Sequence, residues 1–267
     1  PETTLADNSA TAPITPNLTN VSTTVALPAS AVAGTTVTGT VTYSNTTPVA
    51  TSFTSTITIN GVVTTTVVSI PANGSVTVPV SVFVGTTGAS VTAVASGSTV
   101  PETTLADNSA TAPITPNLAD VSTTIALPAD AVAGTTVTGT VTYTNTGPAT
   151  SFTSTITING VVTTTVVSIP ANGSVTVPVS VFVGTTGASV TAVASGSTVP
   201  ETTLADNSAT APITPNLTNV STTVALPASA VAGTTVTGTV TYSNTTPVAT
   251  SFTSTITING VVTTTVV

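Results

Sequence analysis

The sequence predicts an all-β protein made of tandem β-sandwich modules with about seven strands each. Three observations predict this fold. A block of about 100 residues recurs, so that residues 1–68 return unchanged as residues 200–267. The chain is 40% hydrophobic and rich in Val, Ile and Thr, the β-branched residues that strands favour. Apolar and polar residues alternate with the period of two that is typical of half-buried strands.

The repeat is long and almost unchanged from copy to copy. Residues 101–199 match the first copy except at six positions and for the loss of a counterpart to Val49. Solenoid repeats are shorter and need their neighbours to bury an apolar face, whereas a block of about 100 residues can form its own core. The chain is therefore an array of globular modules.

The first copy contains about seven predicted strands separated by turn residues. The alternation is strictest in the second strand, with Val37, Gly39, Val41 and Tyr43 on one face and threonines on the other. Many short strands at this spacing are typical of an immunoglobulin-like sandwich. The predicted strands are residues 21–27, 36–43, 53–59, 62–70, 76–82, 89–95 and 105–114.

Turn residues support these strand limits. Asn60-Gly61 supplies the two positive-φ residues of a type I′ hairpin between the third and fourth strands. Residues 71–74, Pro-Ala-Asn-Gly, form the next turn. Pro79 lies inside the fifth strand and has no N–H to donate, so we expect this strand at a sheet edge or at a bulge.

The order of the strands divides the chain into four segments. Residues 16–115 and 116–214 are predicted to be complete immunoglobulin-like modules. Residues 1–15 are expected to form the last strand of a preceding module, and residues 215–267 the first half of a further, truncated one. We expect the natural chain to continue with the same repeat after Val267.

The missing residue types limit the possible chemistry. The chain has no His, Cys, Lys or Arg, so imidazole bases, thiolates and the usual zinc ligands are absent. Without cationic side chains, nucleic acid is not an expected partner. No apolar run approaches the roughly 18 to 20 residues of a membrane span, so membrane insertion of this segment is not expected. A Ser or Thr nucleophile would lack a base other than a carboxylate, and we therefore expect no enzymatic activity.

A small group of acidic residues is a candidate calcium site. Asp120, Glu201 and Asp206 are expected to meet at one end of the second module, where the loop before the last strand lies beside the start of the first. Calcium binds carboxylate and carbonyl oxygens. The alternative is that these side chains cap turns through hydrogen bonds to the backbone. No other cofactor is predicted.

A set of residues along the whole repeat resembles a known family. The set comprises Pro16-Asn17-Leu18, Ala33-Gly34 before a strand, Asn45-Thr46 after Tyr43, Asn60-Gly61, and Glu102 followed by Asp107-Asn108-Ser109-Ala110. This order resembles the CARDB (cell-adhesion-related) repeats of bacterial and archaeal surface proteins. The chain departs from them at Asp107, which stands where an Asn is usual, and at Thr47 and Thr246, which stand where a Gly is usual. The middle copy keeps that glycine as Gly147. The resemblance implies tandem immunoglobulin-like modules in large surface or secreted proteins, without catalytic residues.

These features together favour a structural function. We expect a component of an extracellular fibre, filament, sheath or adhesin stalk at the cell surface, with the modules as spacers. Near-identical copies favour this function, because binding specificity would concentrate in loops that differ. The neutral surface also allows other copies of the chain to associate laterally without charge repulsion. The alternative is an adhesion module that binds a glycan or a cell-surface protein through loops at the module ends.

Overall fold

A computed structural model describes residue 3 and residues 9–267, and these residues form strands, turns and loops only. Within this part of the chain no helix is long and apolar enough to cross a membrane. The strands of the first complete module are β1 (Val21–Ala26), β2 (Ser30–Val32), β3 (Thr36–Asn45), β4 (Thr51–Ile59), β5 (Val62–Ile70), β6 (Ser75–Phe83), β7 (Ala89–Ser96) and β8 (Ser109–Asn117).

The second complete module repeats all of these strands, and the third copy contains part of the set. The chain forms two compact units, Pro1–Ala119 and Asp120–Val267. The strands of the second module are β9 (Val121–Ala126), β10 (Asp130–Val132), β11 (Thr136–Asn145), β12 (Thr150–Ile158), β13 (Val161–Ile169), β14 (Ser174–Phe182), β15 (Ala188–Ser195) and β16 (Ser208–Asn216). Those of the third copy are β17 (Val220–Ala225), β18 (Thr239–Asn244), β19 (Thr253–Ile258) and β20 (Val261–Val266).

Each complete module is a sandwich of two sheets. In the first module a three-stranded sheet has the order β1-β3-β6 and a five-stranded sheet the order β2-β8-β7-β4-β5. The second module has the corresponding sheets β9-β11-β14 and β10-β16-β15-β12-β13. Pairing is antiparallel except for β2 with β8 and β10 with β16, which are parallel. The predicted fold class, tandem immunoglobulin-like sandwiches, is confirmed.

The core lies between the two sheets and follows the predicted alternation. Val41 and Tyr43 of β3 and Phe53 of β4 are buried. The rings of Tyr43 and Phe53 pack edge to face with centroids 5.0 Å apart. The Tyr43 hydroxyl shares a hydrogen bond of 2.5 Å with Ser55 Oγ. Burial raises the pKa of Tyr43 above its ordinary value, and the bond to Ser55 opposes this rise.

Two predicted turn and edge features are confirmed. Asn60 and Gly61 have φ values of 49° and 84°, as the type I′ hairpin between β4 and β5 requires. Pro79 lies on β6, which is an edge strand of its sheet. The missing N–H of Pro79 is tolerated there, because only one side of an edge strand is paired.

The closing strand of the module lies further along the chain than predicted. The prediction was residues 105–114, but β8 spans Ser109–Asn117, and Leu105 lies in a turn with 72% of its surface exposed. The reason is the parallel pairing of β8 with β2, a strand of three residues that the sequence did not predict. This pairing reaches from Thr115 to Asn117, so the expected module boundary between residues 115 and 116 falls inside β8.

The predicted strand at residues 1–15 is only partly described. Residues 1, 2 and 4–8 lie outside the described residues, and residues 9–15 form no strand. In the third copy, β17 and β18 keep the register of β1 and β3, with Val220 opposite Asn244. The apolar residues of this copy are largely uncovered, and Val224 is 64% exposed, because its sheets contain only two strands each.

Candidate functional site

The starts of β1 and β8 lie side by side at one end of the first module, which we call the polar end. Thr19 and Glu102 form a parallel bridge, in which Thr19 N donates to Pro101 O at 2.9 Å. Further along β1, Thr23 N donates to Asp107 O at 2.8 Å. Backbone pairing therefore brings the two acidic residues that precede β8 next to β1.

The carboxylate of Glu102 fixes this end of the module. Its Oε2 accepts the backbone N–H of Val21 at 3.1 Å. Its Oε1 accepts Nδ2 of Asn108 at 3.2 Å and the hydroxyl of Ser98. Both oxygens thus bind donors of the protein itself, and they tie the first strand to the loop before the last one.

The second module brings the three candidate calcium ligands to its own polar end. Glu201 Oε2 accepts Val121 N–H at 3.1 Å, and Asp120 Oδ1 accepts the hydroxyl of Thr202 at 2.5 Å. The backbone carbonyl of Asp206 accepts Thr123 N–H at 2.9 Å. Within residues 9–267, no three acidic side chains are grouped closely enough to hold a metal ion. Of these contacts, only that of Glu201 is a side-chain to backbone hydrogen bond of the turn-capping kind, and Asp206 Oδ1 is buried without a hydrogen-bond partner. Calcium binding and turn capping both stay predictions.

One sequence difference between the two complete modules changes the hydrogen bonds at the polar end. In the first module Asn20 Nδ2 donates to Asp107 Oδ2 at 3.0 Å, and Asn20 Oδ1 accepts the hydroxyl of Thr103 at 3.0 Å. Asp120 stands at the corresponding position in the second module and has no side-chain donor. Its carboxylate can accept the hydroxyl of Thr202, but it cannot donate to Asp206 the side-chain hydrogen bond that Asn20 donates to Asp107.

A buried asparagine near the polar end was not predicted as a site residue. Asn45, only 2% exposed, donates through Nδ2 to Val49 O at 2.7 Å and to Pro71 O at 3.2 Å. Its Oδ1 accepts the hydroxyls of Thr47 at 2.7 Å and of Thr19 at 3.3 Å. Its place two residues after Tyr43, in phase with the buried face of β3, is the signal that could have identified it. The network joins the loops that surround β1.

Three clefts in the described part of the chain have uncharged linings. A cleft of about 420 Å³ in each complete module lies between the ends of β4 and β5, beside residues such as Thr51 and Pro71 in the first module. A larger cleft of about 700 Å³ lies in the third copy, where Val240 and Ile256 face open space. No carboxylate lines any of the three.

Comparisons with known proteins assign no family. No family model and no curated protein matches the chain, so the resemblance to CARDB repeats stays a prediction. Among solved structures, red sea bream transglutaminase aligns at a TM-score of 0.33 and 16% identity, over 73% of this chain and 31% of its own. This chain thus spans about a third of that enzyme.

Two solved adhesin fragments align over more of the chain. A tetra-tandem repeat from the extending region of a large adhesion protein has a TM-score of 0.27 and 20% identity, over 94% of this chain and 63% of its own. A structure from a 1.5-MDa bacterial ice-binding adhesin has a TM-score of 0.33 and 20% identity, over 94% of this chain and 84% of its own.

Proposed function

We propose that this chain is part of an extracellular fibre or adhesin stalk, in which the modules act as non-catalytic spacers. The observation that carries the proposal is the path of the chain through each module. The chain enters at one end of a module and leaves at the opposite end, so tension on the chain passes through the whole length of each module. The proposed location at the cell surface rests on the resemblance of the repeat to CARDB modules.

The position of β8 defines this path. Its first residues lie beside β1, where Thr23 Oγ1 donates to Asn108 O at 2.9 Å. Its last residue, Asn117, accepts Ala33 N–H at 3.0 Å at the other end of the strand. At about 3.3 Å per residue, the nine residues of β8 separate the two ends by about 30 Å.

The parallel pair β2–β8 is placed to resist tension. Thr115 N donates to Ala29 O at 2.9 Å, and Ala33 N donates to Asn117 O at 3.0 Å. Because the two strands run in the same direction, tension on opposite ends of the module slides them past each other. Their hydrogen bonds are then loaded together rather than broken one after another. This geometry suits a load-bearing spacer.

Pulling the chain by its ends in a force spectrometer tests the proposal. Each complete module is expected to open in one step, which releases roughly 30 nm of chain for about 100 residues at up to about 3.6 Å each. The variant Thr115→Pro removes the N–H that bonds Ala29, and it should lower the opening force of the first module. The unchanged second module is the internal control. Gradual extension without steps, or equal forces for both modules of the variant, would count against a spacer function.

Lateral association of copies is the second part of the proposal. The exposed residues of the strands are mostly Thr, Ser and Val, and the eight acidic residues are spread over 267 positions. Like charges therefore oppose side-by-side packing only weakly. Light scattering is expected to show a mass above 25.7 kDa that rises with concentration. A constant monomer mass would contradict lateral association but would leave the spacer function standing.

A further inference from the structure

The β5 strand is an open edge without the usual protection. It pairs with β4 and forms one edge of the five-stranded sheet. Natural edge strands are commonly guarded by Lys, Pro or a bulge, and Pro79 provides such a guard on β6. The nine residues of β5, Val-Val-Thr-Thr-Thr-Val-Val-Ser-Ile, contain neither charge nor proline. Val63 and Val67 are 60% and 78% exposed.

The hairpin turn determines which backbone groups of β5 face the open edge. Ile59 and Val62 are opposite each other across the two-residue turn, and such a closing pair is hydrogen-bonded. Residues of an antiparallel strand point their N–H and C=O alternately to the two sides. Since Val62 bonds to β4, the groups of Val63, Thr65 and Val67 point outward. They form a row of donors and acceptors available to another strand.

The sequence of this edge reads the same in both directions. Residues 62–68 are Val-Val-Thr-Thr-Thr-Val-Val, with Thr65 at the centre. An identical strand running antiparallel and centred on Thr65 would place Val63 opposite Val67 and Thr65 opposite itself. These are the residues with outward backbone groups, so each outward N–H meets an outward C=O. Cross-strand pairs of β-branched side chains also stabilise such a ladder.

We propose that β5 pairs edge to edge with β5 of a second copy of this chain, antiparallel and about a two-fold axis at Thr65. The strand β13 has the same palindrome centred on Thr164 and pairs in the same way. The proposal rests on the lateral association proposed above and names the surface that forms it. A two-fold axis makes the contact isologous, with the same patch on both copies.

The size of the contact explains why a repeated edge is needed. A stable interface uses about 20 to 30 residues from each partner, whereas one β5 edge supplies nine. A single pair of edges is therefore weak. The second nine-residue edge, β13, gives each chain a second place at which copies can pair. Association should consequently strengthen with the number of modules.

Disulfide trapping tests the register directly. The chain has no cysteine, so Thr65→Cys introduces a single thiol. In a hydrogen-bonded antiparallel pair the two Cα atoms are about 5.5 Å apart, within the range of about 4.4 to 6.8 Å that a disulfide spans. Mild oxidation is expected to convert most of the variant into a dimer of twice 25.7 kDa. Thr38→Cys is the matched control, because Thr38 is exposed on the central strand β3 and should leave the chain monomeric on a non-reducing gel.

Light scattering of variants with charged side chains at the centre of each edge provides the second measurement. The same palindrome recurs at residues 261–267, centred on Thr264. Chains with Lys at 65, 164 and 264 are therefore expected to lose association in light scattering, and so are chains with Glu at these three positions, because each charge meets itself across the axis. An equimolar mixture should associate again. Association of the Lys chains alone, or equal cross-linking of Thr65→Cys and Thr38→Cys, would overturn the β5 contact while lateral association stands. An unchanged chain that stays monomeric at every concentration would overturn both.

Discussion

Removing the hydroxyls of Tyr43 and Ser55 together is expected to destabilise the first module by less than the sum of the losses from removing each hydroxyl alone. Tyr43 is fully buried, Ser55 is 1% exposed, and their oxygens are 2.5 Å apart. Tyr43→Phe leaves the Ser55 hydroxyl buried without this partner, which costs about 1–3 kcal/mol. Ser55→Ala leaves the tyrosine hydroxyl in the same position and should cost a similar amount.

The double variant removes both polar groups, so neither remains desolvated and unpaired. Its loss of stability should be smaller than the sum of the two single losses by about 1–2 kcal/mol. Tyr143 and Ser154 share an equal contact of 2.5 Å in the second module. Making the same changes at both pairs would lower the stability of the two modules by equal amounts. Urea unfolding followed by circular dichroism measures the effect, because the midpoint moves by about 0.5 M for each kcal/mol at an m-value of about 2 kcal/mol/M. Additive losses would refute the reasoning.

Three further perturbations have expected outcomes. Asp120→Asn should stabilise the second module by about 1 kcal/mol, seen as a higher melting temperature, because the new amide can donate to Asp206 as Asn20 does to its partner in the first module. An unchanged melting temperature would show that this bond contributes nothing. Gly39→Ala should cost about 1–3 kcal/mol, since a Cβ there would lie 2.5 Å from Ala26 O, whereas Gly85→Ala, with its nearest atom at 3.7 Å, should be neutral in the same urea titration. The two buried tyrosines, whose pKa values are raised, stay neutral in the folded and unfolded states below pH 10. Above it they ionise first in the unfolded state, so stability should fall as the pH rises, and a β-sheet signal with a constant urea midpoint from pH 9 to 12 would contradict this.

The candidate site was predictable only in part. The sequence indicated that Asp120, Glu201 and Asp206 lie at one end of the module, because an immunoglobulin-like strand order brings those loops together. It did not indicate which donors their oxygens accept. Nor did it indicate that Asn45 would be the centre of a buried network, because two of its partners, Thr19 and Pro71, are each 26 positions away in the sequence.

The sequence by itself determined the local features of this fold. Strand periodicity, the hairpin at Asn60-Gly61 and the edge position of Pro79 each depend on steric and hydrogen-bonding properties of a few adjacent residues. The tertiary structure alone decided the pairing of β2 with β8, the extension of β8 to Asn117 and the exposure of Leu105. A three-residue strand has too little periodicity to be read from the chain. The residues of β2 and β8 are more than eighty positions apart in the sequence. They pair only when the two sheets close over a common core.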